Sequence, residues 1–277
     1  VTLDLNGCVL KMTGSDSVIK VEADGDLTIQ DRNTTTQHKF NPHCKYLTWY
    51  IDMWELDNGG SEIVSGGVIT GGGGDQSNGG GVLVAGGTLV MAGGSIVGCS
   101  AMSRGGGVCN NGTFIMSDGM IKGCTSPDGQ YASGGGVRNS NQFTMTGGMI
   151  GDPDNENDAS HVYNTSSQET TLTISGNAKI YTDITNVGIL NADGGEIAGT
   201  MTNDTNRYGT GTITGSEGAA GSTKFQDKVT NNGTIRKGTF TNEVINESSG
   251  TINGGTFTGA ITNNDGTVLD GDFSGAI

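Results

Sequence analysis

Apolar residues recur along the chain in very short alternating stretches, which are separated by glycine-rich or Asn-Gly turns. Alternation of apolar and polar residues over a few positions is typical of β-strands, whereas an amphipathic helix needs a period of about 3.6 residues over a longer run. None of the stretches keeps that helical period. The pattern therefore predicts many short strands joined by turns.

A first repeat family follows the string GGGV and occurs three times. After the valine, each copy has a strand that ends in methionine and then a strand that contains isoleucine, always five residues after the methionine. The copies differ in length elsewhere, so insertions are confined to particular turns. The three sets of anchors are Val82, Leu89, Met91 and Ile96; Val108, Phe114, Met116 and Ile121; and Val137, Phe143, Met145 and Ile150.

A second, shorter unit fills residues 172–277 with six copies. Each copy has three apolar anchors, and the second precedes the third by 4 residues in every copy. The anchors are Ile174, Ile180 and Ile184; Leu190, Ile197 and Met201; Ile213, Phe225 and Val229; Ile235, Phe240 and Val244; Ile252, Phe257 and Ile261; and Val268, Phe273 and Ile277.

An asparagine follows the third anchor by two residues in every copy that continues. An inward amide at a bend can donate to the coil on one side and accept from the coil on the other. The column predicts a buried ladder of hydrogen-bonded asparagines. The alternative is that these asparagines are there only because they tolerate left-handed turns. Its members are Asn186, Asn203, Asn231, Asn246 and Asn263.

Three short strands per repeat predict an all-β fold, a single right-handed parallel β-helix. One coil cannot bury its own apolar face, so identical positions of neighbouring coils must stack into a continuous core. The repeats predict roughly eleven coils, or a rod on the order of 50 Å at about 4.8 Å per strand spacing. We expect one domain over residues 1–277, with loop insertions at 32–58 and 151–170.

Several strings resemble the glycine-rich right-handed β-helix repeats of surface proteins from gut Firmicutes and related bacteria. The resemblance covers residues 1–185 well and the remainder through its period only. It implies a pectate-lyase-like topology and an extracellular or cell-surface location. Because the chain ends on a third anchor at Ile277, we expect it to be a fragment of a longer surface protein. In that family the repeat commonly ends in asparagine, where Cys99 and Cys124 stand here. The strings are VTLDLNG, SVIKVEADGDLTIQD, HKF, SGGVITGG, GGGVLVAGGTLVMAGGSIVGC, FTMTGGMIGDPDNENDAS and LTISGNAKI.

Composition and charge exclude several classes of protein. The 51 glycines follow no three-residue period and only 3 prolines accompany them, which excludes collagen. A net charge of −15 would repel nucleic acid, because binding it requires lysine and arginine against phosphate. No apolar run reaches the roughly 20 residues of a membrane span.

No catalytic residues are predicted. The motifs NTD, DD, GHG and RIK of polygalacturonase-like enzymes are absent, and so is the RxPxxR of pectate-lyase-like enzymes. Glycoside hydrolysis needs two carboxylates at a defined separation, but with 29 acids some pair always exists. We therefore expect an adhesin-like surface module, structural or binding, that contacts a polysaccharide or host glycan. The alternative is a polysaccharide-active enzyme, a lyase or a glycoside hydrolase, with an unrecognised site.

The insertion at 32–58 holds both tryptophans and several other aromatic residues in a chain otherwise poor in them. Sugars stack on aromatic faces while polar neighbours bind their hydroxyl groups. The insertion is therefore the candidate glycan-binding surface, and a local satellite core that buries these rings is the alternative. The candidate residues are His43, Tyr46, Trp49, Tyr50 and Trp54.

The string DPDNEND places carboxylates at alternate positions, as calcium loops do. Calcium is the only cofactor that the sequence suggests. The glycine that EF-hand loops need at position 6 is Asn157 here, and a solvated acidic turn explains the run as well. The candidate ligands are Asp152, Asp154, Glu156 and Asp158.

Cys99 and Cys124 follow equivalent isoleucines by three residues, so they should stack on adjacent coils. A Cα separation of about 4.8 Å would permit a disulfide. We expect buried free thiols instead, because buried cysteine packs as a small apolar side chain.

Overall fold

The chain forms a right-handed parallel β-helix, which confirms the predicted fold. Equivalent strands of successive coils pair in parallel and build three faces. Among the residues that the structure describes, the first face has eleven strands, one for each coil. The computed structural model describes residues 1–45, 52–73, 78–126, 134–155, 158–165, 169–206, 209–215 and 221–276.

The first two faces share four strands, because these long strands run around the corner between them. The first face comprises Thr2–Asp4, Asp26–Gln30, Gln142–Met145, Thr171–Ile174, Ile189–Ala192, Thr212–Thr214 and Thr234–Ile235, with the first parts of Thr88–Val97, Thr113–Lys122, Thr251–Phe257 and Thr267–Phe273. The second face comprises Val9–Lys11, Val68–Thr70, Met149–Ile150, Lys179–Ile180, Glu196–Ile197, Lys224–Phe225 and Thr239–Phe240, with the second parts of the same four strands.

The third face is a separate sheet of ten strands. Its strands are three residues long, with the first and third side chains inside and the middle one outside in most coils. They are Ile19–Val21, Val82–Val84, Val108–Asn110, Val137–Asn139, Val162–Asn164, Ile184–Asn186, Met201–Asn203, Val229–Asn231, Val244–Asn246 and Ile261–Asn263.

The core is built by stacking like residues on like. The rings of Phe225 and Phe240 lie 4.6 Å apart between centroids, and those of Phe240 and Phe257 lie 4.7 Å apart, nearly parallel in both pairs. Burial of these rings removes apolar surface from water in three successive coils. The continuous column is what lets such short strands hold together.

One predicted anchor is wrong. Leu190 pairs with Leu172, not with Ile174, and Ile174 pairs with Ala192. The error is a slip of two residues, which keeps side chains on the same face of a strand. Both Leu172 and Ile174 are therefore buried, and the pattern alone did not separate them.

The GGGV corners turn the chain sharply before the third face. Gly105 has φ +63°, and a Cβ there would lie 2.8 Å from the Cα of Cys109. Only glycine combines this left-handed conformation with so close an approach. The turn places Arg104 beside the strand Val108–Asn110.

The insertion folds as an antiparallel sheet against the second face. Strand Gln37–Lys45 lies between Asp52–Leu56 and Glu62–Ser65. A second small hairpin pairs Thr205–Asn206 with Gly209–Thr210. In the described part of the chain, no helix is long and apolar enough to cross a membrane.

Candidate functional site

Trp54, predicted to contact glycans, instead belongs to a satellite core. Its side chain is 3% exposed and packs with Phe40, Val64 and Val97. Gly123 lets the indole lie directly against the coil, because a Cβ there would overlap the ring. The expectation of an exposed stacking face is therefore wrong for Trp54.

The other candidate glycan-binding residues are not placed by the structure. Tyr46, Trp49 and Tyr50 lie outside the described residues. The backbone of His43 belongs to strand Gln37–Lys45, and its side chain lies outside the described part.

A buried ion pair joins the satellite core to the acidic insertion. Lys122 Nζ lies 3.1 Å from Asp152 Oδ2, and the two side chains are 8% and 7% exposed. The ammonium group also lies 4.4 Å from the centroid of the Trp54 ring, a cation–π contact. The spacing along the chain did not reveal this pair, because the two residues lie on different coils.

Asp158 fastens the acidic insertion to the neighbouring coil. Its carboxylate accepts hydrogen bonds from the backbone N–H of Gly123 at 3.1 Å and of Ser160 at 2.9 Å. Ser160 Oγ in turn accepts from the backbone N–H of Cys124 at 3.0 Å. Burial raises the pKa of Asp158, and the hydrogen bonds to its carboxylate lower it. The effect of burial is larger, so the pKa is raised overall.

Two of the four predicted calcium ligands are occupied in other ways. Asp152 pairs with Lys122, Asp158 accepts backbone hydrogen bonds, Asp154 is exposed, and Glu156 lies outside the described residues. Across the described ranges, no group of three or more His, Cys, Asp or Glu side chains could hold a metal ion.

The raised pKa of Asp158 predicts a pH dependence of stability. The folded state binds this proton more readily than the unfolded state, so stability should fall as pH rises from the ordinary aspartate pKa through the folded value. We expect Asp158→Asn to lose this part of the dependence. Urea unfolding between pH 4 and 7 measures it, with the exposed Asp154→Asn as the matched control. If the free energy of unfolding changes with pH in the same way for wild type and Asp158→Asn, the prediction is contradicted.

The asparagine ladder runs through eight coils. Each Nδ2 donates to the Oδ1 of the next asparagine at 2.7 or 2.8 Å. The five predicted asparagines belong to it, and three more extend it: Asn110 and Asn139 of the first repeat family and Asn164 of the insertion at 151–170. These three also follow a valine by two residues, the same signal that identified the others.

Cys99 and Cys124 are buried free thiols in the structure. Their Sγ atoms face backbone carbonyls, the closest being Lys122 O at 3.5 Å from Cys124. Burial is the main cause that raises the pKa of Cys124 well above its usual value, and the neighbouring Cys99 adds to it. The Cys124 thiol is therefore protonated, and both side chains are shielded from solvent.

We expect Cys99 and Cys124 to resist alkylation in the folded protein. The exposed Cys8 should react under the same conditions and is the internal control. After denaturation without reductant, peptide mass mapping should find both Cys99 and Cys124 alkylated. If both react only after a reductant is added, they form a disulfide and the expectation fails.

The comparisons with known proteins found no matching protein family, no matching curated protein and no matching solved structure.

Proposed function

We propose that the chain is an adhesin-like module of an exported bacterial surface protein, which acts as a stiff rod and contacts glycans. The observation that carries the proposal is the asparagine ladder through eight coils. Together with the parallel strand pairing, the ladder ties each coil to the next along one axis. Such a column suits a protein that must hold a surface at a distance, on the order of 50 Å at about 4.8 Å per coil.

The charge of the chain supports the same role. A net charge of −15 favours solubility and opposes self-association of an extended rod. The sequence resemblance to bacterial surface repeats supplies the proposed location. No observation in the described residues favours the enzyme alternative, so we propose a non-catalytic module.

Antibodies raised against the recombinant chain test this proposal. They should label intact cells of the source bacterium as strongly as permeabilised cells, and brief protease treatment of intact cells should remove the label. A cytoplasmic protein probed in the same samples should become labelled only after permeabilisation. Label that appears only after permeabilisation would contradict the surface role. Reducing-end release from a polysaccharide that one carboxylate substitution abolishes would contradict the non-catalytic role.

A further inference from the structure

Arg104 and Arg138 lie on adjacent coils, and the fold places both near Cys109 on the outer side of the third face. Arg138 is the middle residue of its strand, between Cys109 and Tyr163 of the adjacent coils. Its Cζ lies 6.0 Å from the centroid of the Tyr163 ring, and its Nη1 donates to Ser140 Oγ at 2.9 Å. The side chain is half-buried, so its guanidinium is held in one place but still reaches solvent.

Arg104 approaches the same spot from the preceding coil. The Gly105 corner brings it beside Cys109, whose thiol is itself covered and 1% exposed. Burial is the main cause that lowers the pKa of Arg138, and the positive charge of Arg104 lowers it further. Arg104 is exposed, which leaves its guanidinium free to move toward a ligand.

Neither arginine has an acidic partner among the residues that the structure describes. The ion pairs there join Lys20 to Glu22, Arg32 to Asp4, Lys122 to Asp152 and Lys237 to Asp193. Arg138 Nε is also buried without a hydrogen bond. Among the described residues, Asn78 Oδ1 is the only other buried side-chain nitrogen or oxygen without one.

Within the residues that the structure describes, this arrangement is unfavourable without a ligand. Like charges held near each other in a partly desolvated place repel, and a buried N–H without an acceptor costs free energy. The chain has 29 acids to 14 basic residues, yet no described carboxylate offsets these two cations. An anion bound between the guanidinium groups would relieve the repulsion, because each group can donate two hydrogen bonds to a carboxylate.

We propose that Arg104 and Arg138 bind the carboxylate group of an acidic saccharide. A polyanion would be repelled by the net charge of −15, so one carboxylate on an otherwise neutral sugar fits best. Beyond Tyr163, the outer column continues with Thr185 and Thr202, whose hydroxyl groups can bind those of a sugar. The choice of a saccharide rests on the proposed surface function, whereas the anion site does not.

Titration with D-galacturonate, followed by NMR of the arginine Nε–Hε resonances, tests the site. The Arg138 resonance should shift with galacturonate and not with D-galactose, which lacks the carboxylate. Arg104→Gln should weaken the affinity at least about tenfold, because it removes one charged donor pair. Lys179→Gln makes the same change of charge at an exposed position on the second face and should leave the affinity unchanged.

Each other outcome overturns a stated part of the proposal. No shift with galacturonate, or equal affinity of wild type and Arg104→Gln, overturns the site. Equal affinities for acetate and galacturonate overturn the saccharide assignment and leave a simple carboxylate site. Because Arg104 is exposed, unfolding does not confuse the result, and the thermal midpoint of each variant checks this. Surface labelling of cells is measured separately, so failure of the proposed function is distinguishable from failure of the site.

Discussion

Asn203→Ala should destabilise the β-helix by about 2–4 kcal/mol, because it breaks the asparagine ladder in its middle. The side chain is fully buried, accepts from Asn186 at 2.8 Å and donates to Asn231 at 2.8 Å. It also donates to the backbone carbonyl of Gly211 at 3.0 Å. Alanine leaves these groups buried without their partner and leaves a gap that water enters poorly. Urea unfolding followed by circular dichroism measures the loss.

Two matched variants separate the ladder from other effects of shortening a side chain. Thr202→Ala changes the neighbouring, outward position and should alter stability by no more than about 0.5 kcal/mol. Asn263→Ala changes an exposed member of the ladder, where water can replace the lost bonds, so its effect should be well below that of Asn203→Ala. Equal losses at Asn203 and Asn263 would show that burial of the ladder adds nothing.

Asp152→Ala should destabilise the protein by about 3–5 kcal/mol, because it leaves Lys122 as an unpaired buried charge. Among the described residues, the ammonium group would then keep only its contact with the Trp54 ring. Unfolding measured by urea, with near-ultraviolet circular dichroism as the report on tryptophan packing, should show the loss. The double variant Lys122→Met with Asp152→Leu should recover most of it, because two apolar side chains replace both charges.

An exposed ion pair provides the control for Asp152→Ala. Lys20 and Glu22 approach to 2.8 Å, closer than the buried pair, but their side chains are 53% and 68% exposed. Water and salt screen such a pair, so Glu22→Ala should leave the urea midpoint unchanged. If Asp152→Ala has as little effect as Glu22→Ala, then Lys122 reaches water when its partner is removed, and the ion pair is not a structural clamp.

The architecture was largely predictable from sequence because it is periodic. A column repeats its residue type at each coil, so Phe240 and Phe257 reveal their stacking by recurring at the same interval before the third anchor. Where two inward positions alternate, as at Leu172 and Ile174, periodicity cannot choose between them. Asn110 also follows an apolar anchor by two residues, as the predicted ladder asparagines do. It was missed because it stands in the first repeat family, which has another spacing.

The chemistry of individual side chains was less predictable, because it depends on contacts between distant parts of the chain. The composition of the insertion marked Trp54 as unusual, but only the fold shows that its ring packs against Gly123 and Lys122. The carboxylate of Asp152 was recognised, whereas its cation lies on another coil. Arg104 and Arg138 share no motif, and only the register of adjacent coils and the Gly105 corner place both near Cys109.

The asparagine ladder also makes the rod electrically polar. Asn110 Nδ2 donates to the carbonyl oxygen of Gln142 at 2.8 Å as well as to Asn139, which fixes the orientation of the amide because a carbonyl can only accept. Every amide of the ladder points the same way, so their dipoles add as peptide dipoles do in a helix. The N–H ends face the coil of Asn263, which therefore carries the partial positive charge, and the coil of Asn110 carries the partial negative charge. Neighbouring amides polarise each other along the column, so each bond in its middle is stronger than an isolated one.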